Sequence, residues 1–389
     1  MTVTSPGRAA RTLLAPRSQH AAVRALRDDR LLRRAVAGAR VVVVTGSYGA
    51  GHDAAARELA RRFSQAGARV SVHDVVDLLP LRLGPITRSA YLAQINRCPE
   101  SWESTLRRLR PGSRTHRWAT RLLGASGRGV LGVTAEADLV ISTHPFASQV
   151  LGRLRHRGLL GCPVATYLTD ASVHALWVAP GVDLHLAIHA SAAVEARALG
   201  GRTSVVRPLV PEVPVHRRTR TDLGLPEHRR LAAVVGGSLG IGDLEGTAEE
   251  LLATGVTPVV LCGSNQSLLR RLSHRPGVIA LGWCEDVREV FSVVDAVVQN
   301  SGGFMTLEAL AVGTPLLSYA VLPGHGRTNA AALEAARLAP WARSPAELGP
   351  VLDAAVGRGA THLPDRAPDV VELLAGIRAT HGEPAAVRA

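Results

Sequence analysis

The sequence predicts an α/β protein with two doubly wound domains that face each other across a central cleft. Short runs of Val, Leu and Ile alternate with helical segments in two successive series, and each series is long enough for its own sheet. A proline-rich stretch separates the two series, as expected for a linker between domains. Ligands of such sheets bind beyond the carboxyl ends of the strands, so the sequence places the active site in the cleft.

The size of the chain agrees with two separate hydrophobic cores. Its 389 residues exceed an ordinary single domain, and 46% of them are apolar. Aromatic residues make up only 3%, so Val, Leu and Ala are expected to fill both cores.

The net charge is strongly positive. It is +13, and every cationic side chain is an arginine, because the chain contains no lysine. A chain this basic is attracted to phosphates, whether they belong to nucleotides, anionic lipids or nucleic acids. Since no nucleic-acid recognition module is present, we expect no nucleic-acid partner.

The cysteine pattern and the hydropathy of the sequence indicate the cell compartment in which the protein works. Cys98, Cys162, Cys262 and Cys284 lie far apart without metal-ligand spacing, which indicates a reducing compartment and no structural zinc site. No secretory segment is recognised, and no apolar run approaches the roughly 20 residues of a membrane-spanning helix. We therefore expect a cytoplasmic protein that is soluble or rests on a membrane without crossing it.

The first domain is predicted over residues 39–207, after a basic extension at 1–38. Its first strand, at 41–44, has the continuous apolar pattern of a buried parallel strand, and a helix at 52–65 leads to a second strand at 69–73. Further strands are expected at 139–141, 164–168, 184–188 and 203–206.

Residues 81–128 interrupt this alternation and form a basic insertion. The segment carries ten arginines against two glutamates, with Tyr91, Trp102 and Trp118 among them. Such a mixture suits an anionic lipid surface, where each arginine contributes roughly 1 kcal/mol. The alternative is a set of surface helices whose arginines are simply solvated. We predict that the insertion meets a membrane and a lipid acceptor.

A proline-rich linker at 207–214 precedes the second domain, which is predicted over 215–365. A C-terminal helix and tail follow at 366–389. Strands of the second domain are expected at 231–235, 258–261, 278–281, 296–299 and 315–319.

A glycine-rich loop follows the first strand of each domain. The loop at 46–52 ends in His52 at a helix start, where an imidazole with a pKa near neutrality is suited to take a proton from a hydroxyl. A helix cap is the alternative role for His52. The loop at 236–242 presents backbone N–H groups and the Ser238 hydroxyl to a diphosphate. Neither loop has the glycine order of a dinucleotide site, which disfavours an NAD-dependent oxidoreductase.

The most specific constellation covers residues 300–315. The pair Gly302-Gly303 lets a helix N-terminus approach a phosphate, and Glu308 in the early turns of that helix can accept both hydroxyls of a ribose. No carboxylate pair is placed on a cleft loop to hold a divalent ion. We therefore expect that no metal is bound. A diphosphate that leaves during a reaction would then be stabilised by helix N-termini, backbone donors and arginine.

Taken together, these motifs resemble the GT-B glycosyltransferases of the family 28 type. That group includes the monogalactosyl- and glucosyl-diacylglycerol synthases and the peptidoglycan lipid-intermediate N-acetylglucosaminyltransferase. The resemblance covers about residues 40–340. In order, the motifs are Gly49-Ala50-Gly51-His52, Thr143-His144-Pro145-Phe146, Thr169-Asp170 with His174 and Trp177, Gly236-Gly237-Ser238, residues 282–287, Gly302-Gly303 with Glu308, and Pro323-Gly324 with Asn329-Ala330. The His-Pro-Phe and Thr-Asp elements are typical of the diacylglycerol branch.

The resemblance implies a GT-B fold and an inverting transfer from a UDP-sugar, without a metal or other cofactor. It implies that His52 is the base, with His144 and Asp170 as further catalytic candidates. The implied donor site consists of Gly237, Ser238, Trp283, Cys284, Gly302, Gly303, Phe304, Met305, Glu308, His325 and Asn329. The implied acceptor site consists of Gly49, Gly51, Trp102, His174 and Trp177.

Three positions depart from the family pattern. Met305 stands where the family carries threonine, and His325-Gly326 stand where the family carries Gln-Glu. Those two family side chains meet sugar hydroxyls, so the donor sugar is the property most affected. The linker also lacks an arginine after its proline, and Arg207 is the candidate to compensate.

The sequence therefore predicts transfer of a hexose or N-acetylhexosamine to a diacylglycerol-like or other hydrophobic acceptor. The expected partners are the UDP-sugar, the lipid acceptor and the anionic inner face of the cell membrane, where the protein would be peripheral. Two alternatives remain at this point: a non-hydrolysing nucleotide-sugar epimerase, and a non-catalytic nucleotide-sugar-binding protein.

Overall fold

The computed structural model describes residues 35–80, 84–97, 99–109, 112–211, 218–361 and 367–382. The basic extension predicted at 1–38 therefore lies outside the described residues except for its last four. The same holds for linker residues 212–217 and for the end of the tail, 383–389.

The first domain contains a parallel sheet covered by helices. Its strands are β1 (Arg40–Thr45), β2 (Arg69–Asp74), β3 (Leu139–Ser142), β4 (Val164–Leu168), β5 (Leu184–Ala187) and β6 (Thr203–Val205). Its helices include α1 (Ala50–Gln65), α2 (Gly84–Arg97), α3 (Pro99–Arg108), α4 (Arg114–Leu123), α5 (Gly127–Thr134), α6 (Pro145–His156) and α7 (Ala190–Ala198). The strand order is β2-β1-β3-β4-β5-β6, so the connections diverge between β1 and β3 and leave a crevice there.

The second domain repeats this architecture. Its strands are β7 (Leu231–Val235), β8 (Thr257–Leu261), β9 (Ile279–Leu281), β10 (Ala296–Gln299) and β11 (Leu316–Ser318). The later helices are α8 (Leu244–Ala253), α9 (Gln266–Ser273), α10 (Val287–Phe291), α11 (Phe304–Val312), α12 (His325–Ala335), α13 (Pro345–Arg358) and α14 (Val370–Gly382). The order β11-β10-β7-β8-β9 places the second crevice between β7 and β10.

The strands predicted from the sequence are confirmed, each to within one residue at either end. The central strands β1, β3, β4 and β7 are buried along nearly their whole length. Strands with both faces covered read as continuous apolar runs, and such runs are easy to recognise in a sequence.

The last helix of the chain returns to the first domain. Side chains of α14, among them Val370 and Leu374, share a core cluster with Leu59 and Phe63 of α1. At the crossing, Arg207 N donates to Pro368 O at 3.0 Å, and Asp369 pairs with Arg62. The residues just before the linker and those just before α14 therefore lie side by side.

The two domains touch at the floor of the cleft. Ala50 N of α1 donates to Ser238 Oγ of the second domain at 3.2 Å. A Cβ added to Gly51 would lie 2.9 Å from Cβ of Phe304, so only glycine permits this approach of α1 to α11. Phe304 and Leu307 of α11 join the core cluster of the first domain.

The described residues of the basic insertion form the short helices α2, α3 and α4. Its two glutamates both face the second domain, where Arg327 of α12 pairs with Glu100 at 3.0 Å and with Glu103 at 2.7 Å. Glu103 also accepts a hydrogen bond from Gly324 N at 3.2 Å. The insertion is thus connected to the loop that carries His325.

Aromatic residues of the insertion are only partly described. Trp118 on α4 is 66% exposed. Tyr91 and Trp102 lie on α2 and α3, but their side chains are outside the described part of the structure. Among the described residues, no helix is both long and apolar enough to span a membrane.

We expect Leu374→Ala to destabilise the first domain by about 2–5 kcal/mol, because a buried leucine is removed from its core. Hydrogen exchange should show faster exchange in β1 to β6, although the substitution lies near the end of the chain. Leu352→Ala in α13 is the matched control, since Leu352 belongs to a core cluster of the second domain. Faster exchange confined to the second sheet in Leu374→Ala would contradict the assignment of α14.

Candidate active site between the two domains

A cavity of about 300 Å³ lies where the two crevices face each other. From the first domain, the loop after β1, the loop after β3 and the start of α1 contribute to its wall. From the second domain, the loops after β7, β9 and β10 and the start of α11 contribute. The carboxyl ends of the parallel strands therefore bring the predicted motifs to one place.

His52 lies on the wall of this cavity, and its ring orientation is fixed by the protein. Its Nδ1 is 2.8 Å from the carbonyl oxygen of Thr143 and 3.1 Å from Oγ1 of Thr169. A carbonyl oxygen only accepts, so Nδ1 carries the proton in this arrangement. The neutral ring then has its lone pair on Nε2, as a general base requires.

His144 packs against His52, with 4.6 Å between ring centroids, but it has a structural function. Its Nδ1 accepts from Phe146 N at 3.2 Å and so caps α6. Only 4% of the residue is exposed, and burial holds the pKa of His144 well below its usual value. The structure therefore places His144 in the cavity wall, where it packs against His52 and caps α6, and its catalytic role stays a prediction.

Asp170 lines the cavity and is held by Trp177, whose Nε1 donates to Asp170 Oδ2 at 3.2 Å. It does not orient His52, because Thr143 and Thr169 occupy that position. Trp177 itself is fully buried and does not line the cavity, so the structure does not support its predicted contact with an acceptor. Trp177 instead holds the Asp170 carboxylate in place through its Nε1 hydrogen bond.

His174 and His325 meet Asp170 at one end of the cavity. Burial lowers the pKa of His174 to about 4, against the opposing effect of Asp170. Burial also lowers the pKa of His325, again opposed by Asp170. Both imidazoles are therefore neutral near pH 7, and Nδ1 of His174 is buried without a hydrogen-bond partner among the described residues.

The second domain presents a helix N-terminus to the cavity. Gly303 precedes α11, and no side chain caps this helix. Its first N–H groups have no acceptor within the helix, and they carry the positive end of the helix dipole. The Ser238 hydroxyl, which accepts from Ala50 N, keeps its own proton to donate. Gly237 lines the cavity beside Ser238.

Glu308 faces the cavity one turn further along α11. Burial raises its pKa to about 7, although Arg288 and Arg57 act in the opposite direction. No hydrogen bond to its carboxylate occurs among the described residues, so both oxygens remain for a ligand. Phe304, Met305, Trp283 and Cys284 also line the cavity, and the Trp283 side chain is 54% exposed.

Gly302 and Asn329 differ from the prediction, because neither lines the cavity. Asn329 is fully buried, and its Oδ1 accepts from N and Oγ of Ser172 in the first domain at 2.9 and 2.7 Å. Its Nδ2 donates to Ser301 O. Gly302 has φ +68°, packs against Asn329, and gives its N–H to the Gln299 side chain. Asn329 therefore joins the two domains, and Gly302 packs against it within the second domain.

The remaining predicted residues are Gly49, Gly51, Trp102 and Arg207. Gly49 and Gly51 line the cavity beside His52, whereas the Trp102 side chain is outside the described residues. Arg207 pairs with Asp369 at the domain crossing, so it does not replace a cavity arginine. Within the described part of the chain, no group of three or more His, Cys, Asp or Glu has a metal-binding arrangement.

Comparison with known proteins shows what this arrangement is similar to. The family model of the monogalactosyldiacylglycerol (MGDG) synthases matches residues 52–209, from His52 to the linker. This part of the chain is similar to the MGDG synthase family. A processive diacylglycerol β-glucosyltransferase of Bacillus subtilis is 23% identical, over 75% of this chain and 80% of that protein. The Bacillus pumilus protein of the same name is 27% identical over 50% of this chain, which spans 54% of that protein's length.

Solved structures show the fold. MurG of Acinetobacter baumannii superimposes with a TM-score of 0.53 at 16% identity, over 88% of this chain and 99% of that chain. LpCGTa, solved in complex with UDP, gives a TM-score of 0.54 at 14% identity, over 89% of this chain and 100% of that chain. The two-domain GT-B fold predicted from the sequence is confirmed.

The structure adds residues that the sequence analysis missed. Tyr48 stacks on His144, with ring centroids 5.3 Å apart. Arg57 of α1 lines the cavity opposite α11. Helical periodicity would have found Arg57, since Ala50, Ala54 and Arg57 share one face of α1.

We expect Glu308→Gln to raise the melting temperature at pH 8 by a few degrees and to change it little at pH 5. The folded-state pKa of about 7 exceeds the ordinary value of 4.5, so wild-type stability is lost as pH rises through this interval. Thermal unfolding at both pH values measures the effect. Glu285→Gln, at an exposed carboxylate of the same cavity, is the control. An equal shift at pH 5 and pH 8 would contradict a raised Glu308 pKa.

Proposed function

We propose that the protein is an inverting, metal-independent glycosyltransferase. It moves a hexose or N-acetylhexosamine from a UDP-sugar to a diacylglycerol-like lipid or another hydrophobic acceptor. The observation that carries this proposal is the position of His52, whose ring is fixed through Nδ1 on the wall of a cavity built by both domains. The relationship to diacylglycerol glycosyltransferases supports the substrate class.

The proposed reaction is a single displacement. Nε2 of His52 takes the proton of the acceptor hydroxyl, and the hydroxyl oxygen forms a bond to the anomeric carbon. The bond from that carbon to the diphosphate breaks, and UDP leaves with the electron pair. Thr143 O and Thr169 Oγ1 hold the ring during proton transfer, which contributes on the order of 10²–10⁴-fold to such a rate.

The second domain is proposed to bind the donor. The N-terminus of α11 at Gly303 and the Ser238 hydroxyl are suited to stabilise the charge that develops on the diphosphate. Glu308 is proposed to accept the two ribose hydroxyls, because its carboxylate is not engaged by the protein. The exposed Trp283 and the adjacent Cys284 backbone are proposed to meet the nucleobase.

The sugar is proposed to lie between His52 and the group of His174, His325 and Asp170. Neutral imidazoles both donate and accept hydrogen bonds, so these side chains are suited to sugar hydroxyls. Gly49, where an added Cβ would meet nothing within 4 Å, leaves space on the acceptor side of His52. The acceptor then enters from the side of the basic insertion.

We further propose that α4 rests on the inner face of the cell membrane. Arg114, Arg117, Trp118 and Arg121 follow helical spacing and are all exposed. Arginines with an exposed tryptophan suit an anionic interface, where each cation contributes roughly 1 kcal/mol. The exposed Ile86 of α2 adds an apolar side chain to the insertion.

His52→Ala is expected to lower kcat by roughly 10²–10⁴-fold while UDP affinity changes little, because the base does not hold the nucleotide. UDP release from UDP-glucose, UDP-galactose and UDP-N-acetylglucosamine, with and without lipid extract, is the measurement. His228→Ala, at an exposed loop histidine, is the control and should keep full activity. Undiminished turnover in His52→Ala would remove His52 from the mechanism.

The same assay separates the remaining functions. Lipid-dependent UDP release with one donor supports the transferase. A change in the sugar without any acceptor would favour the epimerase. UDP binding without turnover of any donor would favour a binding protein.

Arg117→Glu combined with Arg121→Glu is expected to reduce binding to anionic vesicles by at least tenfold, because two attractive charges become repulsive. Co-sedimentation with phosphatidylcholine vesicles, with and without phosphatidylglycerol, measures this. The pair Arg229→Glu and Arg270→Glu makes the same change of charge on the second domain and should have little effect. Equal binding of the wild type to vesicles with and without phosphatidylglycerol would contradict the membrane proposal.

A further inference from the structure

One arginine, Arg57, lies in the wall of the cavity between the domains. Of the described residues that line this cavity, Arg57 is the only arginine, in a chain that has no lysine. The other basic side chains of the wall are imidazoles, and those of His144, His174 and His325 have lowered pKa values. Arg57 is therefore the permanent positive charge of the cavity wall.

Arg57 comes from the first domain, opposite the proposed donor site. It lies two turns into α1, on the same face as Ala50 and Ala54, and all three line the cavity. Helical side chains lean toward the N-terminus of their own helix, and here that end contacts Ser238. Residues 50 and 57 are about 10 Å apart along the axis of α1, and an extended arginine side chain covers most of that distance.

Arg57 is not used by the protein itself. It is exposed, and it makes no hydrogen bond or ion pair among the described residues. Its carboxylate neighbour Glu308 is near enough to sense the charge, but it keeps a raised pKa of about 7. The neighbouring Arg288, in contrast, is buried and paired with Asp286.

The opposing helix leaves a place for an anion. The N-terminus of α11 at Gly303 has no side-chain cap, and Gly51 of α1 packs directly against Phe304 in its first turn. An anion at Gly303 would therefore lie against the first turns of α1, the end of the helix toward which helical side chains lean.

We propose that Arg57 binds the diphosphate of the nucleotide donor from the acceptor domain. The inference rests on the proposed function, since it assumes a nucleoside diphosphate at the N-terminus of α11. The Arg57 guanidinium then contacts the diphosphate from the first domain, and Ser238 and the N-terminus of α11 contact it from the second domain. Donor binding and closure of the two domains become one event, because the ligand is held from both sides.

The experiment compares uridine, UMP and UDP by calorimetry in the wild type, Arg57→Met and Arg57→Lys. Methionine keeps the apolar stem without the charge, and lysine keeps the charge. Arg57→Met should weaken UDP binding by about 10–100-fold, the range for a charge-assisted hydrogen bond, and leave uridine binding within about twofold. Arg57→Lys should restore part of the lost affinity. Arg270→Met, which removes an exposed arginine outside the cavity, should change neither ligand.

Each outcome has one meaning. A loss confined to UMP and UDP supports diphosphate binding. Equal losses for uridine and UDP would place Arg57 at the nucleoside, and unchanged UDP binding in Arg57→Met would leave it without a role in the donor site; both overturn the proposal. A wild type that binds none of the three ligands, although it is folded by circular dichroism, would overturn the proposed function itself.

Discussion

The close approach of α1 to α11 is the constraint on which the rest of the site depends. Gly51 lies against Phe304, and the first N–H of α1 is capped by Ser238 of the other domain. This contact brings the N-termini of two helices to one point, one carrying the candidate base and one carrying the anion site. A larger residue at position 51 would separate the helices and open the cavity between them. The catalytic geometry is thus a property of the domain contact more than of either domain.

Few polar groups hold the domains together at the cleft. Apart from the apolar contact of α11, the described links include Ala50 to Ser238, the bonds of Ser172 to Thr328 and Asn329, the bond from Gly324 to Glu103, and the ion pairs of Arg327. Each such hydrogen bond contributes only about 0.5–1.5 kcal/mol net. A ligand in the cleft can therefore compete with these hydrogen bonds. Ser238 is one group for which a ligand and the other domain compete.

The sequence predicted the positions of the strands and the residues that follow them, because buried parallel strands have a simple apolar pattern. For the same reason it found His52, Glu308 and Gly303 at the cavity. It misplaced Asn329 and Trp177, because a position in a motif does not reveal which distant group a side chain meets. Ser172 and Asn329 are 157 residues apart in sequence. His144 was ambiguous for a local reason: a residue at a helix start serves equally as a cap or as a catalytic group.

The return of α14 to the first domain has a consequence for synthesis of the chain. About 160 residues separate Leu209, the last part of the first domain's core before the linker, from Val370. At about 5–20 residues per second the ribosome needs roughly ten to thirty seconds for that distance. During this interval the face of α1 that α14 later covers lacks that helix. The core of the first domain therefore becomes complete only after α14 has been synthesised, although the first domain emerges before the second.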